Sequence, residues 1–588
     1  MKSKVFYKSW ILTIILLFIG AGIIPSISGN FENLDDLKNI KNMTEKEITI
    51  SSKDGTDWWT NFHHDLKLTG CTSAPAPDTN KILWSKNLGD GVWFSSSSVV
   101  DYMLYIGTEK EESFNEKEPL EAFSKFKNSI FMSDKSFIEY NSNIEKTLQT
   151  ANGAIYCLNA KTGDIKWSYP TVGNVYSCPA VADGYVYVAS ADPNTYMGEL
   201  YCFDAITGQK QWNQSIMTGY TSPIVSEGRL YILAIKPDDY YGKLLCLDAS
   251  NGDEIWNHTT GYIDFSLYTA PAISDGKLFF TSVDIIGGIF CTISCLDITD
   301  GNEIWRTRLG TMDFGYALSS PTIADGKAYV INSETDEADF WTELNCVDAS
   351  NGDILWNYTM RDELDEICFS NPAVAYGNVY FGLVGGDWKY GKLICLDGDD
   401  GSTIWCDKSL YAYTLSSPVV AEEKVYIGGL EMGLMEGEIL CFDAFDGSLK
   451  WFGEIGNVLI DSTPAIVEGC VFVADDLGKV CAFKDMFEIA SIKGGLASVK
   501  VDIANIGSED LNDVSYSITV EGGILNLINK SKSDTISILE AQTSDIIRVS
   551  PVFGLGKIKI SATVSLVGVS PFKIKKEGFV LGPFVFVT

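Results

Sequence analysis

An all-β chain built on an eightfold repeat and closed by a separate β-sandwich is what the sequence predicts, on three observations. Trp167, Trp212, Trp256, Trp305, Trp356, Trp405 and Trp451 recur every 44 to 51 residues, each with Gly four residues earlier and Cys ten residues earlier. Between them run short apolar strands with Pro near their start, split by Asp-Gly or Glu-Gly turns, as in SCPAVADGYVYVAS (177–190) and TSPIVSEGRLYILA (221–234). Such turns mark tight antiparallel hairpins. After Asp485 this grammar stops, and 486–588 alternates polar and apolar residues in segments such as GKIKISATVSL, the period of a two-layer β unit.

Each repeat supplies four strands: an inner one (PAVA), a second (YVYVAS), a third (LYCFDA) and an outer one ending at Trp. The period is that of a propeller blade. Six of the seven repeats also place Asp eight residues before Trp (Asp204, Asp248, Asp297, Asp348, Asp397, Asp443), and the seventh has Asn159. Asp is expected to cap the turn, Gly to supply a positive φ, and Trp to bury a flat ring between blades. All three are structural tasks, so no residue of this set is assigned a catalytic role.

Inner strands recur eight times, near Ser98, Pro179, Pro223, Pro271, Pro321, Pro372, Pro418 and Pro464, yet the last repeat ends at GKVCAFKD (478–485) with no Trp after it. The missing outer strand is TNKILWSKNL, with Trp84 as the eighth docking ring. Asn80 stands four residues before it, where a left-handed conformation is expected. The reading is an eight-bladed β-propeller over 57–485, closed by its N-terminal strand so that no sheet edge stays open.

The segments LNAKTGDIKW and FDAITGQKQW resemble the tryptophan-docking repeat of the pyrroloquinoline-quinone (PQQ) propellers, Ala-x-Asp-x-x-Thr-Gly-x-x-x-Trp. DWWTNFHHDLKLTG (57–70) is similar to the lead-in of many such propellers. The resemblance implies two outcomes. One is a PQQ-dependent alcohol or sugar dehydrogenase, which stacks the quinone between a Trp and a disulfide of adjacent Cys and holds Ca²⁺ with Glu, Asn and Asp. This chain has no adjacent Cys pair, and no motif in it matches the Ca²⁺ ligands. The other outcome is a non-catalytic platform for protein contacts, as in the outer-membrane assembly scaffold. VKVDIANIGSEDLNDVSYSITV (499–520) resembles an Ig-like adhesion-type module.

The formal charge is −34 over 588 residues, which excludes nucleic acid as a favoured partner. MKSKVFYKSW followed by WILTIILLFIGAGII and then Ser26 and Ser28 reads as a secretory signal over 1–28 with a linker over 29–56. A membrane is expected only through this segment, if it stays uncleaved. The 109–150 stretch is an insertion, a flap on one propeller face, with Pro119 opening a short helix.

Seven of the fourteen Cys (Cys157, Cys202, Cys246, Cys295, Cys346, Cys395, Cys441) share one repeat position, where the last repeat has Ala482. They are expected to be small buried thiols. Pairing among the other seven is left open. Only His63, His64 and His258 exist, too few for a multi-His metal centre or a His-based triad. The acidic runs DGDDG (397–401) and RDELDEICF (361–369) are a repeat turn and a loop, and no metal site is assigned.

Ligand-face candidates are Trp93, Trp341 and Trp388, in loops that open on the face of the insertion, and Tyr176, Tyr220, Tyr268 and Phe369, three residues before or beside the inner-strand Pro. A ring of aromatics with acids between suits sugars, peptides or a flat cofactor. Sequons occur at Asn42, Asn213, Asn257, Asn357 and Asn529, three of them directly after a docking Trp. The expectation is an exported, monomeric, cell-surface binding or scaffold protein for a protein or glycan, with no cofactor. The alternative is the PQQ- and Ca²⁺-dependent dehydrogenase.

Overall fold

The structure is a computed structural model. It describes residues 56–588 apart from 93–94, 111–152, 193–196, 219–220, 236–241, 261–268, 285–289, 311–314, 318, 336–339, 361–367, 369, 385–390, 408–415, 432–435, 457–458, 486, 506–509, 542, 567–571 and 588. The signal, and all of the expected linker and insertion but Thr56, Glu109 and Lys110, lie outside the described residues. Among the described residues the only helix is a single 3-10 turn, Ile524–Asn526, and none is long and apolar enough to cross a membrane.

Strands between 98 and 484 form successive four-stranded antiparallel sets, at 98–170, 180–217, 224–259, 272–308, 322–360, 373–407 and 419–456, with Met217 pairing Ile235 to join the second and third, and Gly315–Ala317 added beside Lys327–Thr335. The last set, 465–484, has three strands of its own, and Ile82–Asn87 pairs antiparallel with Lys479–Lys484 as its fourth. This is a β-propeller whose final sheet is completed from the N-terminal side, as the repeat count required.

The hairpin between inner and second strand has the predicted tight-turn backbone. Asp183, Glu227, Asp275 and Asp325 take φ near +50°, and the Gly after each takes φ from +70° to +82°, the conformation that matches the right-handed twist of the flanking strands. The turn before each outer strand is held by its Asp, as where Asp204 Oδ1 accepts from the backbone N–H of Ile206 (3.1 Å) and Thr207 (2.8 Å).

Each docking tryptophan lies on the following set. An added Cβ on Gly208 would stand 2.5 Å from the Trp167 ring, and the same relation joins Gly252 to Trp212, Gly301 to Trp256, Gly352 to Trp305, Gly401 to Trp356 and Gly447 to Trp405. The indole N–H then donates to a backbone carbonyl of that next set: Trp167 to Ala205, Trp212 to Ala249, Trp305 to Ala349, Trp356 to Gly398 and Trp405 to Ala444. Trp84 reaches Ala160, and Trp451 reaches Pro77.

A second seam element was not read from the sequence. Tyr105, Tyr329, Tyr380 and Tyr426, on second strands, donate their hydroxyls to Ala205, Gly398, Ala444 and Pro77, the carbonyls already taken by tryptophan. Both lone pairs of one oxygen therefore bind across each of these seams.

Asn80 corrects an expectation. It is not in the left-handed region; its Nδ2 instead donates to Phe452 O at 2.8 Å, joining the closing strand to the preceding set through a side chain. None of the fourteen Cys, the off-register seven included, is in a disulfide. The repeated ones sit opposite the seam aromatics on the second strand, as Cys157 does opposite Tyr105, and burial pushes the Cys157 thiol up to about 12.

Residues 487–587 form a three-stranded sheet (Phe487–Gly495, Ser498–Asn505, Ser544–Val549) and a five-stranded sheet (Leu511–Gly522, Ile528–Leu539, Gly554–Ser565, Phe572–Gly582, Phe584–Val587). Val501, Ile503, Ile518, Val520, Ile560 and Val580 belong to one buried cluster drawn from both sheets.

Candidate functional site

Inner strands line the axis of a propeller, and their hydrogen-bonding groups need partners there. Just before the inner strands, hydroxyls and one amide supply some of them from set to set. Cys178 N donates to Ser222 Oγ, Ala270 N to Ser320 Oγ, Ser320 N to Asn371 Oδ1, Asn371 N to Ser417 Oγ and Thr463 N to Ser96 Oγ.

Others come from the lead-in. Val99 and Val181 donate their backbone N–H to Trp59 O and Thr60 O, Ile273 and Ile323 to Leu66 O and Lys67 O, and Val374 and Val420 to Thr69 O and Gly70 O, at 2.6 to 2.9 Å. Consecutive stretches of 59–70 thus bind six inner strands in ring order. Cys71–Thr72 then pairs parallel with Val419–Ala421. The chain laces the channel at the level of the inner-strand hairpins before it closes the final sheet.

Local conformation and charge fix the lace. His63, His64, Leu68 and Gly70 all have positive φ, from +54° to +84°, and an added Cβ on Gly70 would stand 2.5 Å from the His63 ring. His63 spans the turn, its two ring nitrogens 2.8 Å from Leu68 O and 3.0 Å from Pro418 O. Burial pushes its pKa down, against the opposing pull of the Pro418 and Leu68 carbonyls. His64 Nε2 lies 3.2 Å from Asp57 Oδ1. Burial opposes the His64 charge, but the Asp57 hydrogen bond and the charges of Asp65 and Asp57 outweigh it and raise its pKa. Asp57 also accepts from Thr72 Oγ1, Ser73 N and Ser73 Oγ. Burial opposes its charge as well, and its bonds to His64 hold it far below the usual carboxylate range.

At the opposite end of the inner strands, Tyr176 lies in an acidic cluster. Asn174 Nδ2 donates to the Tyr176 hydroxyl at 2.8 Å and approaches Glu109 Oε2 at 3.5 Å. Glu109 N donates to Gly91 O, and an added Cβ on Gly91 would stand 2.8 Å from Asp476 O and 3.4 Å from Glu109 Oε1. Burial, then the charges of Asp461 and Glu109, raise Asp476 well above the usual carboxylate range. Its Oδ1 is buried without a hydrogen-bond partner. The cluster retains a proton where isolated carboxylates would lose theirs. Among the described residues no group of three or more His, Cys, Asp or Glu is placed to hold a metal.

Of the aromatic candidates, Trp341 and Tyr176 are described, and both are buried at 5% exposure. Neither offers its ring to solvent, and Trp341 faces Glu334 across the strand pair. Trp93, Trp388, Tyr220, Tyr268 and Phe369 lie outside the described residues. Asn213, Asn257, Asn357 and Asn529 are exposed, and Asn42 lies outside the described residues. In DGDDG, Asp397 Oδ1 caps its own turn through Asp399 N and Asp400 N, and Asp399 pairs with Lys327 at 2.6 Å.

The repeated seams are matched by a family model described as outer membrane protein assembly factor BamB, over residues 145–215, 196–289, 270–484 and 342–572, together well over half of the chain. The chain belongs to this family. Its fold is also that of the quinohemoprotein alcohol dehydrogenase from Comamonas testosteroni, at 12% identity and a TM-score of 0.50, covering 75% of this chain and 83% of that one. BamB from Moraxella catarrhalis is similar at 15% identity over 56% of this chain and 88% of that one, with a TM-score of 0.42. A europium-containing methanol dehydrogenase is similar at 14% identity over 76% of this chain and 89% of that one, at 0.48. At these identities the likeness is one of fold alone. No curated protein matches the chain.

Among the described residues the disulfide of adjacent Cys that the family resemblance implies for the quinone is lacking. No two Cys are adjacent, no Cys is in a disulfide, and the described channel wall carries hydroxyls and one amide that bind one another's backbone.

Proposed function

We propose that this protein is an exported, non-catalytic scaffold, an eight-bladed propeller over 57–485 with an Ig-like sandwich over 486–588, that binds a protein or glycan partner as a monomer at the cell surface. The observation that carries the reading is the lace: residues 59–70 fill hydrogen bonds of six inner strands, so the channel at the hairpin end is occupied by the protein's own backbone. A partner is left the other end, where second strands connect to third strands, the insertion occurs, and Trp93 and Trp388 fall in sequence.

The family description, an assembly factor, supports protein contact as the task. Export rests on the basic, then apolar, N-terminal segment over 1–28, and the exposed sequon asparagines on outer strands are compatible with it. A PQQ- and Ca²⁺-dependent dehydrogenase is disfavoured by the donor set described above.

The test is photo-crosslinking in cells. A photoreactive residue in place of Trp388 is expected to give a discrete adduct, and one in place of Ile206, which is 75% exposed on a turn before an outer strand, to give none. Adducts only from position 206 would place the partner on the laced face and overturn the reading.

A further inference from the structure

Surface charge is divided unevenly along the chain. Residues 486–588 hold ten basic and ten acidic side chains, which leaves the whole formal charge of −34 on residues 1–485. Within the neutral C-terminal unit, 554–587 carries Lys557, Lys559, Lys573, Lys575 and Lys576 against Glu577 alone.

Those lysines adjoin an exposed apolar surface. In the antiparallel pairing of the last strands, Leu555 lies opposite Leu581 and Lys557 opposite Phe579. Leu581 in turn lies opposite Phe584, and Phe579 opposite Phe586. Leu496, in the turn of the neighbouring sheet, bridges to Phe584. Cross-strand partners share a face about 5 Å apart, so Leu555, Leu581, Phe584 and Leu496 make one row across three strands and the adjoining turn, and Lys557, Phe579 and Phe586 make the next. Leu496 is 70% exposed, Phe586 55% and Phe584 54%. By the same pairing Lys559, Lys575 and Lys573 continue this face along the hairpin, with Glu577, opposite Lys559, the one acidic group among them.

A contiguous exposed patch of this kind marks an interaction surface rather than scatter. An acidic protein would satisfy the lysines and leave the phenyl rings in water. A bilayer interface takes both: rings and leucines at the acyl boundary, ammonium groups among anionic headgroups. The acidic propeller would be repelled from such a surface, and the neutral sandwich is the part of the molecule that is not. We propose that the outer face of the final three strands, with Leu496, docks the protein on an anionic lipid surface. This is independent of how the propeller face is used.

The experiment measures partitioning of the purified full chain onto phosphatidylglycerol-containing and pure phosphatidylcholine vesicles. The N-terminal apolar segment is common to every variant, so ratios between variants report the patch alone. F584S/F586S is expected to lower partitioning onto the anionic vesicles by at least about tenfold. F445S, which removes an equally exposed Phe from a propeller turn, should leave it unchanged. High salt should weaken the wild type. Equal partitioning of wild type and F584S/F586S would overturn the proposal. So would a wild-type dimer in sedimentation velocity that F584S/F586S converts to monomer, since the patch would then be a protein interface. L496S, confined to a turn, repeats the test should the double variant fail to fold, with a smaller loss expected and no loss contradicting the proposal.

Discussion

Trp405 and Ala444 are joined across a seam by an indole N–H donated to a carbonyl at 3.0 Å, and Tyr380 donates to that same oxygen at 3.2 Å. The seam at Trp256 differs. Its Nε1 is buried without a partner, and Arg229 Nη1 takes Ile298 O of the next set at 3.2 Å.

The contrast separates ring burial from hydrogen bonding. W405F and W256F remove the same atoms, so both should leave a void of similar size. W405F alone loses a hydrogen bond, and W256F relieves a stranded donor. W405F is therefore expected to cost at least about 1 kcal/mol more in denaturant unfolding. Equal losses would mean that the indole bonds contribute nothing to the seams.

The glycine under each ring yields a second prediction. Gly447 has φ +71°, and its added Cβ would stand 2.6 Å from the Trp405 ring, whereas Gly228 has φ +73° with nothing within 4 Å. G228A should cost about 1 kcal/mol from backbone strain alone. G447A should cost about 2 kcal/mol beyond that, because the ring must move. Thermal unfolding of both variants checks the difference.

The lace should depend on pH through Asp57 and His64. His64 is raised above its ordinary 6.5, so its contribution is complete below 6.5 and is lost as pH rises through the higher folded value. Asp57 is lowered from 3.8, so its contribution is complete above 3.8 and is lost as pH falls through the lower folded value. The pair is strongest between those limits. Amide exchange across 57–72, corrected for intrinsic rates, should accelerate well above pH 6.5. D57N should weaken that pH dependence and cost about 1–2 kcal/mol, a modest figure because Asp57 is 35% exposed and solvent screens it.

Asp476 behaves in the opposite sense to a paired carboxylate. Its folded pKa is raised by burial and by Asp461 and Glu109, so its favourable state is the protonated one, and stability falls as pH rises through the folded value. D476N should therefore stabilise the protein at neutral pH by about 1 kcal/mol and have little effect in acid. A destabilised D476N at neutral pH would show that the charged form makes a contact stronger than its desolvation.

The parts of the fold visible in the sequence are those written as periodic side-chain chemistry. Trp, Gly and Asp at fixed spacing announced the docking seams, and the missing last Trp announced the closing strand at Ile82–Asn87. The tyrosines of the second strand obey the same period, from Tyr105 to Tyr426, but their β-favouring character hid a second task as hydroxyl donors. The lace was not legible. Its bonds from Val99 to Val420 are backbone to backbone, and carbonyl groups carry no sequence signature. Asn80 was misread because Asn suits both a left-handed turn and a side-chain bond, and the bond to Phe452 O prevailed. Tyr176 and Trp341 stand out in the sequence for their rings, and burial of both depends on tertiary packing that the spacing does not encode.

The central claim, a scaffold rather than a quinoprotein, is tested most directly by calorimetric titration of the purified protein with PQQ in the presence of Ca²⁺, followed by dye reduction with a panel of alcohols and aldoses. The account predicts no stoichiometric binding and no reduction. Stoichiometric binding with substrate-dependent dye reduction would contradict it.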